Sequence, residues 1–144
     1  GDVLRELIYK VSYRVLGEAY DYAMCILEEM QWKRTRYITS ADFFHGTLEL
    51  VEPGVPVFLF MGEDENRKLD ERVRAFLTRG VTGDTDINII DTAEFAIPGL
   101  DDEFRVIVSP WILTVLVTDR LARYYETVTK HNLKYRRYYH QFDY

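Results

Sequence analysis

Val55-Pro-Val-Phe-Leu-Phe-Met61 is a near-continuous apolar run that follows the turn former Pro53-Gly54. A half-exposed strand alternates apolar with polar residues, so an unbroken apolar run marks a strand covered on both faces, as in a parallel sheet. Downstream, Leu69, Val73, Phe76 and Leu77 recur at helical spacing and predict a helix over about 66–79 that stops at Gly80. Asp86 to Asp91 is a second buried-type strand. Upstream, Thr35 to Thr39 reads as a short strand with Tyr37 and Ile38 suited to a half-buried pleat. Before it, Ala19, Ala23, Ile26 and Met30 form one stripe of a helix over about 17–32. The segment 2–15 reads both ways: Leu4, Leu7, Ile8 and Val11 have helical spacing, while Ile8 to Val15 alternates partly like a strand. Ser109-Pro110 is a natural helix start, which places the last helix from Ile112 to about Thr129. Strands alternating with helices predict a compact three-layer α/β/α domain around a small, mostly parallel sheet.

The composition fits one globular domain: 144 residues, 47% hydrophobic and 29% charged. A net charge of −6, with both signs mixed along the chain, argues against a nucleic-acid binder. Cys25 stands alone, which excludes an internal disulfide and fits a reducing compartment. No apolar run approaches the roughly 20 residues needed to cross a bilayer, and no leader-like pattern opens the chain. The expectation is a soluble, cytoplasmic protein with no membrane partner. His45, His131 and His140 have no zinc spacing, and neither a Walker loop nor a dinucleotide fingerprint occurs, so no metal or organic cofactor is expected.

Three features carry chemistry. Glu28-Glu29 ends the first amphipathic helix. At about 100° per residue, Glu28 falls on the solvated side while Glu29 falls beside Tyr22 at the edge of the buried stripe. A carboxylate at such a boundary suits a general base, although a pair of solvated glutamates has the same periodicity. His45 lies in Asp42-Phe-Phe-His-Gly46, in the loop after a strand, and an imidazole near its free pKa moves protons at neutral pH. A satisfied structural histidine is the alternative. Finally, Arg136 and Arg137 in the aromatic tail suit a phosphate or carboxylate, and a salt bridge to the acidic body is expected for at least one of them.

Glu18-Ala-Tyr20, Cys25-Ile-Leu-Glu-Glu-Met-Gln-Trp32, Ser40-Ala-Asp-Phe-Phe-His-Gly46 and Gly62-Glu-Asp-Glu-Asn-Arg67 together resemble the second sugar-isomerase (SIS) domain of fructosamine and fructoselysine 6-phosphate deglycases. These are relatives of the isomerase half of glucosamine-6-phosphate synthase. The ending Arg136-Arg-Tyr138 … Phe142-Asp-Tyr144 is also similar to the family tail. The resemblance implies a C-terminal or partial SIS domain over 17–130, preceded by a segment 1–16 that looks truncated. A tail, 131–144, would pack on the site or a partner.

It also implies Glu29 and His45 as the catalytic pair, with Asp42, Gly46, Arg137 and His140 binding substrate. Asp42 stands where the family motif has Glu, and His140 where the synthase has a lysine. The implied reaction converts a phosphorylated Amadori product to glucose 6-phosphate and free amine without a cofactor. A non-catalytic phosphosugar-binding or scaffold module and an aminosugar-phosphate isomerase are the alternatives. The family's Ser/Thr-rich phosphate cradle lies in its first SIS domain and has no counterpart here, so a second SIS domain or subunit is implied, with homo-oligomerisation as the family habit.

Overall fold

The computed structural model describes residues 7–11, 15–80 and 82–143, the first of these as a backbone strand alone. Four strands form one sheet: β1 (Leu7–Val11), β2 (Thr35–Thr39), β3 (Val57–Met61) and β4 (Ile87–Asp91). They lie in the order β2-β1-β3-β4 and every pairing is parallel. Tyr9 sits between Tyr37 on one side and Phe58 on the other. Within the N-terminal segment that read both ways, Leu7–Val11 is a strand held between two neighbours, while 2–6 and 12–14 lie outside the described residues.

The apolar run at β3 behaves as a strand buried on both faces. Phe60 points into a cluster with Ala19, Tyr22, Ala23, Ile26, Leu27, Leu113 and Val117. Val57, Leu59 and Met61 point the other way, onto Phe43, Val73 and Leu77. Alternate side chains of one strand therefore feed two cores, which is what makes the domain three-layered. Burial of each such side chain stabilises the fold by about 1.5–3 kcal/mol.

On the first face, helix α1 opens regularly over Leu16–Tyr20 and continues through wide π-type turns over Asp21–Met30. On the second face lies α2 (Arg67–Leu77). Helix α3 begins at Asp102, runs to Leu113, widens over Thr114–Leu121 and ends over Ala122–Thr129 at left-handed Lys130. The sequence pattern placed its start at Ser109-Pro110. Pro110 is instead inside the helix, with Ser109 and Pro110 both buried. The acidic Asp102 and Glu103 occupy the first turn, where the helix dipole favours them. Among the described residues, no helix is long and apolar enough to cross a membrane.

The carboxyl edge of the sheet is tied together by charge. Asp70 of α2 is fully buried and accepts from the Ser40 hydroxyl at 2.6 Å and from the Gly62 amide at 3.4 Å. Burial pushes its carboxyl up to about 6, against the opposing pull of those two hydrogen bonds. Arg67 donates to both oxygens of Asp91, at 2.9 and 2.5 Å. Burial would raise the Asp91 carboxyl, but the Arg67 and Ala93 hydrogen bonds outweigh it and hold it low. Arg105 forms a two-pronged pair with Glu63 at 2.7 and 3.0 Å.

Candidate functional site

Helix α1 crosses from the carboxyl end of β1 to the amino end of β2, so its last turn, carrying Glu28 and Glu29, lies beside Thr35. The Thr35 hydroxyl donates to Glu28 Oε1 at 2.5 Å. Both glutamates are half-buried and both line one open cleft of about 670 Å³. Glu28 and Glu29 therefore share the cleft, although the helical wheel sets them on different sides of the helix.

The rest of the cleft comes from Trp32, Lys33, Arg34 and Thr35 after the helix, and from Arg136, Arg137, Tyr138 and Tyr139 of the tail. Arg136 Nη2 pairs with Glu29 Oε1 at 2.8 Å, which is the salt bridge to the body expected for one of the paired arginines. The Arg137 guanidinium lies 4.0 Å above the centre of the Trp32 ring. Trp32 itself has φ 55°, a left-handed conformation uncommon for a bulky residue and maintained only where neighbours enforce it. Its ring is seated edge-on against His131 at 4.4 Å. Burial first, then the Asp21 hydrogen bond, push the thiol of Cys25, one turn before Glu29, up to about 11, which disfavours the thiolate.

His45 occupies the opposite end of β2. The strand leads through buried Ser40 and exposed Asp42 into a 3₁₀ turn, Phe43–His45. The Thr39 hydroxyl donates to Asp42 Oδ2 at 2.7 Å and accepts from the Asp42 amide at 3.2 Å, so that carboxylate serves the turn. Phe43 is buried and anchors the turn, while His45 is exposed and its ring makes no hydrogen bond among the described residues. Gly46 has φ 148° with open space around it, a backbone conformation that by itself calls for glycine.

The structure thus brings Glu29 and Arg137 to one cleft and leaves His45, Asp42 and Gly46 beyond the far end of a five-residue strand. At about 3.3 Å per residue, Thr35 and Thr39 are roughly 13 Å apart. His140 is exposed in the tail, with its ring 4.2 Å from that of Tyr139, and is not part of the cleft lining. As cleft residues, sequence reasoning missed Trp32, Lys33 and Arg34. Trp32 was visible as a motif residue, but nothing in the pattern announced its left-handed backbone. Among the described residues, no group of three His, Cys, Asp or Glu side chains is placed to hold a metal ion.

The all-parallel three-layer fold is shared with solved structures described as phosphosugar isomerases. A Bacillus subtilis structure described as a phosphosugar isomerase superposes on 99% of this chain and 42% of its own, with a TM-score of 0.87 and 28% identity. A Salmonella typhimurium structure of the same description covers 99% of this chain and 43% of its own, with a TM-score of 0.84 and 29% identity. Fructosamine deglycase of Bacillus subtilis is 32% identical over 125 residues, covering 85% of this chain and 36% of that protein. Fructoselysine 6-phosphate deglycase of Escherichia coli is 34% identical over 139 residues, covering 92% of this chain and 37% of that protein. No family model matches. The chain belongs to the SIS family of phosphosugar isomerases and deglycases, and spans little more than a third of the length of the curated relatives it matches.

Proposed function

We propose that this domain carries the proton-transfer machinery of a fructosamine 6-phosphate deglycase, completed by a second SIS unit. The observation that carries the reading is the Glu29 carboxylate, which has one oxygen engaged by Arg136 and stands in a cleft lined by cations and aromatics. A fructosamine has a C1 methylene bearing the amine and a C2 carbonyl. Glu29 removes a C1 proton to give the enolamine and returns a proton at C2, leaving an imine at C1. Water adds to that imine, and the C1–N bond breaks to release amine and glucose 6-phosphate. His45 moves the ring-oxygen proton when the sugar opens. Arg137 is the anion contact in the cleft, with Asp42, Gly46 and His140 as further substrate contacts from the turn and the tail. No cofactor is required by these steps. A cytoplasmic setting fits the single cysteine.

The position of Glu29 and His45 at opposite ends of β2 supports a site shared between copies, with Glu29 from one and His45 from another. The relatives' greater length supports an additional SIS domain to hold the phosphate. A second reading, a module that binds phosphosugar without turnover, is favoured by the exposure of His45 outside the cleft. One experiment separates the two readings. The natural full-length protein is incubated with fructoselysine 6-phosphate, and glucose 6-phosphate is assayed. The enzyme reading predicts release, and a loss of about 10²–10⁴-fold in kcat in Glu29→Gln with KM little changed. Binding without release establishes the module, and release undiminished in Glu29→Gln removes Glu29 as base.

A further inference from the structure

We propose that Arg136 is a positioning residue for Glu29, and that the C-terminal tail is the strap that holds it in place; this rests on the reading of Glu29 as base. The two tail arginines are built differently. Arg136 Nη1 donates to the carbonyls of Leu133 at 2.7 Å and Tyr135 at 2.8 Å, while Nη2 pairs with Glu29. Its side chain is only 18% exposed. A guanidinium with three acceptors already in place has little left to offer a ligand. A carboxylate held through Oε1 has its Oε2 directed by that contact. Arg137, by contrast, is exposed, stacks on Trp32 and has no anionic partner among the described residues, so it is the arginine left for substrate.

The strap is anchored independently of Arg136. Gln31, one position after the helix, is 4% exposed. Its Nε2 donates to the His131 carbonyl at 3.1 Å and its Oε1 accepts from the Thr129 hydroxyl at 2.9 Å. The Leu133 amide donates to Glu126 at 3.0 Å, fixing the carbonyl-bearing turn that Arg136 uses. The ring of His131 sits between those of Trp32 and Tyr135, at 4.4 and 5.4 Å. The tail and the end of α1 therefore form one unit, and the tail's position is transmitted to the base through a single guanidinium.

The test is steady-state kinetics of the natural full-length protein on fructoselysine 6-phosphate, comparing wild type, Arg136→Ala, Arg136→Lys and Glu29→Gln. A mispositioned base costs turnover and leaves binding intact, so Arg136→Ala is expected to lose about 10–100-fold in kcat with KM within about twofold. Arg136→Lys, a point charge without the planar fork, recovers part of the loss, and methylguanidinium added to Arg136→Ala restores part of kcat. A purely structural role would not respond to the added cation. A rise in KM with unchanged kcat makes Arg136 a substrate contact and overturns the proposal, as does wild-type kcat in Arg136→Ala. If Arg136→Ala does not fold, the kcat and KM of Arg136→Lys decide by the same criterion. Loss of turnover in Glu29→Gln alone defeats the strap but keeps the base, whereas turnover retained in Glu29→Gln defeats both.

Discussion

The two ends of strand β2 carry the two proposed proton carriers and are constructed on opposite plans. At the amino end, Glu29 is half-buried, ion-paired and roofed by the tail. At the carboxyl end, a buried Phe43 and the Thr39–Asp42 hydrogen bonds fix the turn, yet the His45 ring is exposed and makes no hydrogen bond among the described residues. One end is finished within the chain and the other is left open. Glu29 is held by contacts within the domain, while His45 is exposed on its turn, and the proposed site shared between copies rests on that contrast.

The largest expected effect that sharpens this comparison is in His45→Gln. Because the ring is exposed and makes no hydrogen bond or ion pair among the described residues, the substitution should leave the melting temperature within about 1–2 °C of wild type. It should also lower turnover of fructoselysine 6-phosphate by about 10²-fold or more. A drop in stability with unchanged turnover would reverse the reading and make His45 a structural residue.

A smaller effect tests what lies beneath the open end. Asp70 holds Ser40, the residue that follows β2, and its carboxyl is raised from 3.8 to about 6 by burial. A raised carboxyl favours the protonated form in the fold. Its contribution to stability is therefore full below the unfolded value and lost as pH rises through about 6. Asp91 and Glu63 have the opposite sign: each is held low and loses its contribution as pH falls. Asp70→Asn removes the first term only. Relative to wild type, its stability should gain on the order of 2–3 kcal/mol between about pH 4 and about pH 7, read by denaturant unfolding at several pH values. Parallel stability curves for the two proteins would contradict a buried, raised Asp70.

The parts of the fold that sequence reveals are those governed by periodicity. The apolar run at β3 and the spacing of Leu69, Val73 and Leu77 identified a covered strand and its helix, because burial on two faces or one stripe leaves a direct residue pattern. β1 stayed ambiguous because a short apolar run suits either state, and pairing with β2 and β3 decided it. The π-type turns of Asp21–Met30 left no mark of their own in the residue pattern, because the buried Tyr22, Ala23, Ile26 and Leu27 keep ordinary helical spacing. The start of α3 was misplaced because Pro110 is favoured in a first turn and only tertiary packing accounts for its place inside the helix. Within the site, the residue types of Glu29, His45 and the paired arginines were legible. Their distribution over the two ends of β2 depended on the direction of the crossover, which residue spacing does not encode.

The central claim is that Glu29 and His45 act together across copies, and subunit mixing tests it most directly. Full-length Glu29→Gln and His45→Gln proteins are each expected to be inactive on fructoselysine 6-phosphate. After dissociation and reassociation together, a mixed oligomer contains a site with both native residues and should recover a substantial fraction of glucose 6-phosphate release. Mixed oligomers that form, as verified by tagged co-purification, but remain as inactive as their parents would contradict the account.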